Sequence, residues 1–308
     1  MSSKAEMSSG LTNGILQGYK SGLGFARMES GFKKGLLNGI REHNKVQDPT
    51  AGLIADKKPK FFWLADYTET GGVYPPTSGS GISSTDGPYE LINGGLMVAA
   101  SNPVFRGNGV YYNKGYVDFA SSADRISTST TVVGTSELTV VMLLRLSSTL
   151  TGVLFQRGAS STVGDITISS IGGTKIRVTL TGPSSTSSVY ETYEPTIAAT
   201  ETTSNGTNTN KWFILTVKFD MTQRNGNGSE MEIYIDGVKN MTPVTTTFTG
   251  TSTAMSNLAV HYGNTTTQSN DVSYRCQIAS SVYFDYWLNS TEQTRIENFY
   301  RYYYGHRF

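Results

Sequence analysis

An all-β, two-sheet antiparallel sandwich is the fold this sequence predicts, carrying an N-terminal arm and a short C-terminal helix. Three observations support it. The segment 211–220 alternates, with Phe213, Leu215, Val217 and Phe219 on one face and Trp212, Thr216, Lys218 and Asp220 on the other, the period-2 pattern of a strand with a buried side. The segment 230–239 repeats it with Met231, Ile233 and Ile235 facing in, and Asp236-Gly237 supplies the pair most able to take positive φ, so the chain should fold straight back through Val238. Ser/Thr/Gly-rich stretches at 158–165, 182–188, 200–210 and 263–271 separate further strand candidates and read as rim loops.

Taken in order, the strand candidates are Gly115-Tyr-Val-Asp-Phe119, Asp124-Arg-Ile126, 137–146, 152–158, the pair already described, and 279–288. An aromatic-led strand, a polar Gly-Asn connection and a strand closing on Tyr234-Ile-Asp-Gly237 resemble the laminin-G-like branch of the concanavalin A-like jelly rolls. The resemblance covers 104–308 and implies a jelly-roll sandwich closed by a turn or helix at Ser290-Thr-Glu-Gln293. It says little about function, because such folds host many unrelated activities. At the C-terminus, Ser290 with Gln293 reads as a capping box for a helix burying Ile296, Phe299 or Tyr300, and Tyr303, and stopping at Gly305.

Composition narrows the function classes. Charged residues make up 16% of the 308 and the net charge is +1, which leaves no electrostatic footprint for nucleic acid or an anionic membrane. The one cysteine, Cys276, excludes an internal disulfide framework and sits in a strand context that predicts a small buried hydrophobe. No apolar run approaches the ~20 residues of a membrane span, and the N-terminus has no apolar signal-peptide core, so a soluble chain outside the general secretory route is expected.

Residues 1–44 are a different kind of sequence. Glycines at 10, 14, 18 and 22 and again at 31, 35 and 39 superpose two blocks at an offset of 31 − 10 = 21, an internal repeat. Spacing by four places Gly14, Gly18, Gly35 and Gly39 on one helical stripe where another backbone could approach closely, flanked by Leu16 and Leu37. Each interior glycine costs a helix about 0.5–1 kcal/mol, so this arm is expected to order only on a partner subunit. Residues 45–103 read as a linker with docking loops, in which the Phe61-Phe-Trp-Leu64 cluster docks on the sandwich.

The chain carries little motif chemistry. His43, His261 and His306 have no metal-ligand spacing, and no nucleotide fingerprint is present, so neither metal nor cofactor is expected. Asp118, Asp124 and Asp165 are acids that converge on calcium only if the fold unites them, and nothing in their spacing requires it. Glu230-x-Glu232 with Asp236 invites comparison with paired-carboxylate glycosidases on this general fold, but position 234 is Tyr and Asp236 belongs to a turn. The expectation is two exposed glutamates on a solvent face and no catalytic residue. For a glycan, Tyr111, Tyr112, Tyr193 and Tyr262, with Tyr74 and Tyr190, are the candidate stacking platforms on the rim. A Gly-rich anchoring repeat, no export signal and a laminin-G-like jelly roll together resemble tailed-bacteriophage decoration, fibre or tail-tip proteins. That resemblance implies a virion component, oligomeric and anchored to capsid, portal or tail subunits, with host-surface polysaccharide as a further partner. A carbohydrate-binding lectin module is the alternative, and a glycoside hydrolase a more distant one.

Overall fold

A computed structural model describes residues 59–67, 78–82, 87–92, 97–110, 114–121, 123–128, 135–146, 152–158, 166–171, 175–181, 187–192, 200–202, 208–220, 231–246, 259–263 and 276–304. In chain order the strands are β1 (Phe61–Leu64), β2 (Val98–Ala100), β3 (Val104–Val110), β4 (Lys114–Phe119), β5 (Arg125–Ser127), β6 (Glu137–Leu146), β7 (Gly152–Arg157), β8 (Ile166–Ile171) and β9 (Lys175–Thr181). They continue with β10 (Ser187–Glu191), β11 (Thr200–Thr202), β12 (Asn208–Asn210), β13 (Phe213–Asp220), β14 (Met231–Ile235), β15 (Val238–Lys239), β16 (Thr242–Thr246), β17 (Val260–Gly263) and β18 (Cys276–Phe284), and a helix, α1, spans Ser290–Tyr304. Sheet A runs β15-β14-β13-β6-β18-β4-β3, with β1 added on β18; sheet B runs β16-β10-β9-β8-β7-β17-β5-β2; β11 and β12 form a small ribbon. Every pairing among the described strands is antiparallel, and the two sheets make a jelly-roll sandwich.

The sandwich follows from the alternation. Phe213, Leu215, Val217 and Phe219 of β13 are buried against Leu138, Val140, Met142 and Leu144 of β6 and Met231 and Ile233 of β14, in one apolar cluster that also takes Phe155, Ile168 and Val178 from sheet B. β6 is the centre of sheet A over the segment expected from sequence. Asp236 (φ 52°) and Gly237 (φ 86°) both take the left-handed conformation, which joins β14 to β15 in the anticipated tight hairpin. Ile235, expected in the core, is only partly buried because it sits at that turn. Cys276 is fully buried, as its context implied.

The sandwich starts earlier than the family resemblance suggested. β1 pairs with β18 in register Phe61↔Tyr283 to Leu64↔Ser280, and β2 pairs with β5, so residues from Pro59 onward belong to the same compact unit as the rest. The Phe61–Leu64 cluster therefore docks by completing a sheet. Glu90 fastens the following segment, its carboxylate accepting hydrogen bonds from Phe62 N (3.1 Å) and Ile92 N (2.9 Å). Residues 1–58 lie outside the described residues.

α1 covers part of the outer face of sheet A. Its cap is one residue earlier than the Ser290/Gln293 box: Glu292 N donates to Asn289 Oδ1 (2.9 Å) and Asn289 N to Glu292 Oε2 (3.1 Å), the reciprocal pair of a capping box. Asn, with its short amide, displaces the serine as cap. Ile296, Phe299, Tyr300 and Tyr304 are buried. The Tyr300 hydroxyl donates to Val141 O (3.2 Å) and that of Tyr304 to Ala279 O (2.9 Å), so the helix is pinned to β6 and β18 by phenol groups that burial keeps protonated. Tyr303, expected in the core, is half-exposed, with Lys114 Nζ 4.0 Å from its ring centroid and its hydroxyl 3.3 Å from Asp66 Oδ1. The predicted stop at Gly305 falls outside the described residues.

Candidate functional site

The two sheets present contrasting outer faces. On sheet A, beneath α1, the side chains that alternate away from the core are themselves buried: Lys218 is 2% exposed and Glu232 3%. Lys218 and Glu232 are cross-strand partners. Glu232 accepts from Lys239 Nζ on Oε1 (2.7 Å) and from the Tyr234 hydroxyl on Oε2 (2.7 Å), while Lys218 Nζ lies 4.9 Å from the Tyr234 ring centroid and 5.7 Å from that of Trp287. Burial raises the Glu232 carboxyl, but these hydrogen bonds and the two lysine charges outweigh it and hold the group below its ordinary range. Burial also lowers the Lys218 ammonium, against the opposing pull of Glu232.

Glu232 is thus not the solvent-face glutamate expected from sequence. Alternation does turn it away from the core, but Tyr234 and Lys239 close over it. Asp236 is committed elsewhere, its Oδ1 accepting from Ile214 N (2.8 Å). Glu297 of α1 packs on the same hairpin, so a Cβ at position 237 would fall 2.6 Å from Glu297 Oε2. Burial raises the Glu297 carboxyl despite a hydrogen bond from Gln293 Nε2 to its Oε1 (2.8 Å). Glu230 lies outside the described residues. Glu232 is bonded within the hairpin and Glu297 within the helix, so among the described residues neither is part of a free carboxylate pair placed to straddle a sugar.

The outer face of sheet B is built differently. Inward residues Ile126, Tyr262, Phe155, Ile168 and Val178 alternate with outward Ser127, His261, Gln156, Thr167 and Thr179, and the register sets these five abreast on β5, β17, β7, β8 and β9. Ser127, His261 and Thr179 are half-buried. His261 Nδ1 is 2.8 Å from Ser127 Oγ. Burial, with the charge of Arg125 nearby, holds this imidazole below its usual value, so it is neutral at pH 7. Gln156 is 1% exposed and its Nε2 has no hydrogen-bond partner, and the Nε of half-buried Arg125, two residues before Ser127, has none either. The row can make many hydrogen bonds at once; the Ser127–His261 contact has no carboxylate on the imidazole among the described residues, so it lacks the third group that orients a catalytic base.

Several sequence-predicted site residues are placed by the structure. Tyr262 is fully buried, its ring centroid 5.4 Å from those of both Trp63 and Phe155 and its hydroxyl donating to Ser281 Oγ (2.8 Å). It is a core residue, because alternation along β17 turns 260 and 262 inward and 261 outward. Tyr190, 5% exposed, is likewise core. Tyr74, Tyr111, Tyr112 and Tyr193, and the arm residues Gly14, Leu16, Gly18, Gly35, Leu37 and Gly39, lie outside the described residues. Of the three acids weighed for calcium, Asp124 is tied by Ala120 N and Ser121 N, both 2.9 Å from its Oδ2, and Asp118 faces Gln277 and Arg106; Asp165 is not among the described residues. No set of three potential metal ligands gathers among the described residues.

No protein-family model matches the chain, and no curated protein does. Solved structures of similar arrangement include the binding domain of botulinum neurotoxin serotype G (TM-score 0.49, 15% identity, 71% of this chain and 50% of that one). The binding domain of serotype D (0.49, 14%, 71% and 50%) and the receptor-binding domain of the C/D mosaic serotype (0.48, 13%, 71% and 50%) are others. This chain spans about half the length of those domains. At such values no function passes from them to this chain.

Proposed function

We propose that this chain is a carbohydrate-binding protein that holds its ligand on the outer face of sheet B and performs no catalysis of its own. The observation that carries this reading is the row Ser127, His261, Gln156, Thr167 and Thr179, five short polar side chains abreast on a rigid sheet. Sugar hydroxyls both donate and accept, and a row of hydroxyl, imidazole and amide groups matches them without any charge relay. Because these residues stand on paired strands, they are held in register before a ligand arrives, which lowers the ordering cost of binding. The test is a polysaccharide panel read both for retention and for release of reducing ends. Retention without release is the expected result; release that disappears in Glu232→Gln would make the protein a hydrolase, and neither retention nor release from any member would remove the glycan from the account.

The setting we propose is a virion surface, with the sandwich turned outward and residues 1–44 lodged against capsid, portal or tail subunits. The support is in the sequence, where two glycine-spaced blocks recur at an offset of 31 − 10 = 21. Deleting residues 1–44 is expected to leave a folded sandwich that no longer enters the assembly, because the eighteen strands among the described residues all lie beyond them. Normal incorporation of the truncated chain would refute this role.

A further inference from the structure

We propose that the saccharide held on sheet B is an acidic one, whose anionic oxygens dock on Arg125 and Gln156. This rests on the reading of that face as the ligand face and adds the chemical class. Arg125 and Gln156 flank His261 from opposite sides. Gln156 is its cross-strand partner on β7, and Arg125 on β5 is close enough for its charge to act on the imidazole, two residues along the strand from Ser127, whose hydroxyl bonds that same ring. All four point away from the core, because Ile126, Phe155 and Tyr262 between them point in.

Two donors of this patch meet no acceptor among the described residues. Gln156 is 1% exposed with its Nε2 unbonded, and Arg125 keeps an unbonded, buried Nε. No carboxylate pairs with Arg125 among the described residues. Elsewhere on the same sheet an outward arginine is neutralised: Arg177 Nε donates to Glu191 Oε1 at 2.8 Å, and Lys175 Nζ lies 3.5 Å from Glu191 Oε2. A buried donor without a partner costs free energy that native proteins rarely leave unrecovered, and one of these two is on a permanent cation. A neutral hydroxyl satisfies one donor and leaves the positive charge uncompensated. A carboxylate or sulfate oxygen set satisfies both donors and the charge together, by the charge-assisted hydrogen bonds that are the stronger kind. The neutral imidazole and Ser127 then remain for the adjoining hydroxyls of the ring.

The full chain is tested by affinity electrophoresis in polygalacturonate, hyaluronan, dextran sulfate and neutral dextran, for the parent and for Arg125→Gln, Gln156→Leu and Arg177→Gln, with melting temperatures recorded for each. The expected result is retention by an acidic polymer that falls by about tenfold or more in Arg125→Gln, falls also in Gln156→Leu, and is unchanged in Arg177→Gln. Retention by the uronate polymers alone would assign a carboxylate; retention by dextran sulfate alone, with the same dependence on Arg125, would assign a sulfate. Retention that Arg125→Gln leaves intact, or loss in Arg177→Gln equal to that in Arg125→Gln, overturns the site. Binding to neutral dextran at least as strong as to the acidic polymers overturns the acidic class and leaves the glycan face standing, whereas no retention by any polymer removes both. If Gln156→Leu lowers the melting temperature, Arg125→Gln, on a half-exposed residue, still decides the matter.

Discussion

Replacing Phe219 with alanine is expected to destabilise the protein by about 3–5 kcal/mol, read as a shift in the denaturant midpoint with little change in slope. Phe219 is fully buried on β13, flanked in register by Leu138 of β6 and Met231 of β14, in the apolar cluster shared by both sheets. Truncation removes the transfer energy of the ring and leaves a cavity that two hydrogen-bonded neighbours cannot collapse to fill. Val238→Ala is the contrasting control: at 69% exposure it is expected to stay within about 0.5 kcal/mol of the parent. A Phe219→Ala protein that melts like its parent would mean that β13 faces the other way.

Removing Glu232 is expected to cost as much, by different physics. Glu232→Ala removes the carboxylate that accepts from Tyr234 and Lys239 and whose charge supports the Lys218 ammonium, 2% exposed between the Tyr234 and Trp287 rings, and leaving a buried charge uncompensated costs about 3–5 kcal/mol. Lys239→Ala should cost less than about 1 kcal/mol, because that lysine is 49% exposed and water replaces much of what it gives. The effect depends on pH with a definite sign. The folded Glu232 carboxyl is held below the ordinary glutamate value of 4.5, so its stabilisation is fully present above that pH and is lost as pH falls through the folded value. Parent and Glu232→Ala unfolding curves should therefore be well separated at pH 7 and approach each other on acidification below 4.5. A separation that grows on acidification would mean that Glu232 is folded in its protonated form.

The strands were legible in the sequence because each strand is a local pattern. Period-2 alternation in 213–219 and 231–235, and Asp236-Gly237 between β14 and β15, specify face and turn without reference to any other part of the chain. Glu232 shows where that logic ends. Its facing follows from alternation, but its burial depends on Tyr234 and Lys239 folding over it, which strand periodicity cannot express. The row on sheet B was hidden for a related reason. Ser127, Gln156 and His261 come from three distant segments, and only the order β5-β17-β7 makes them neighbours. The signal that was available is small: Arg125-Ile-Ser127 and Val260-His-Tyr262 each alternate polar and apolar, which turns the polar residues outward and Tyr262 into the core. β1 is not legible as a strand by alternation, because it is four consecutive apolar residues buried on both faces.

The central claim, that ligand is held on the outer face of sheet B, is tested most directly by side-chain amide and imidazole resonances of isotopically labelled protein titrated with oligomers of whichever polysaccharide retains it. The account predicts that the Gln156 amide and His261 imidazole signals shift first, together with the backbone amides of β5, β7, β8 and β17, while Tyr234, Trp287 and α1 stay unmoved. Shifts confined to the helix-covered face of sheet A, or to residues 111–113 and 193 with Gln156 and His261 unchanged, would contradict it.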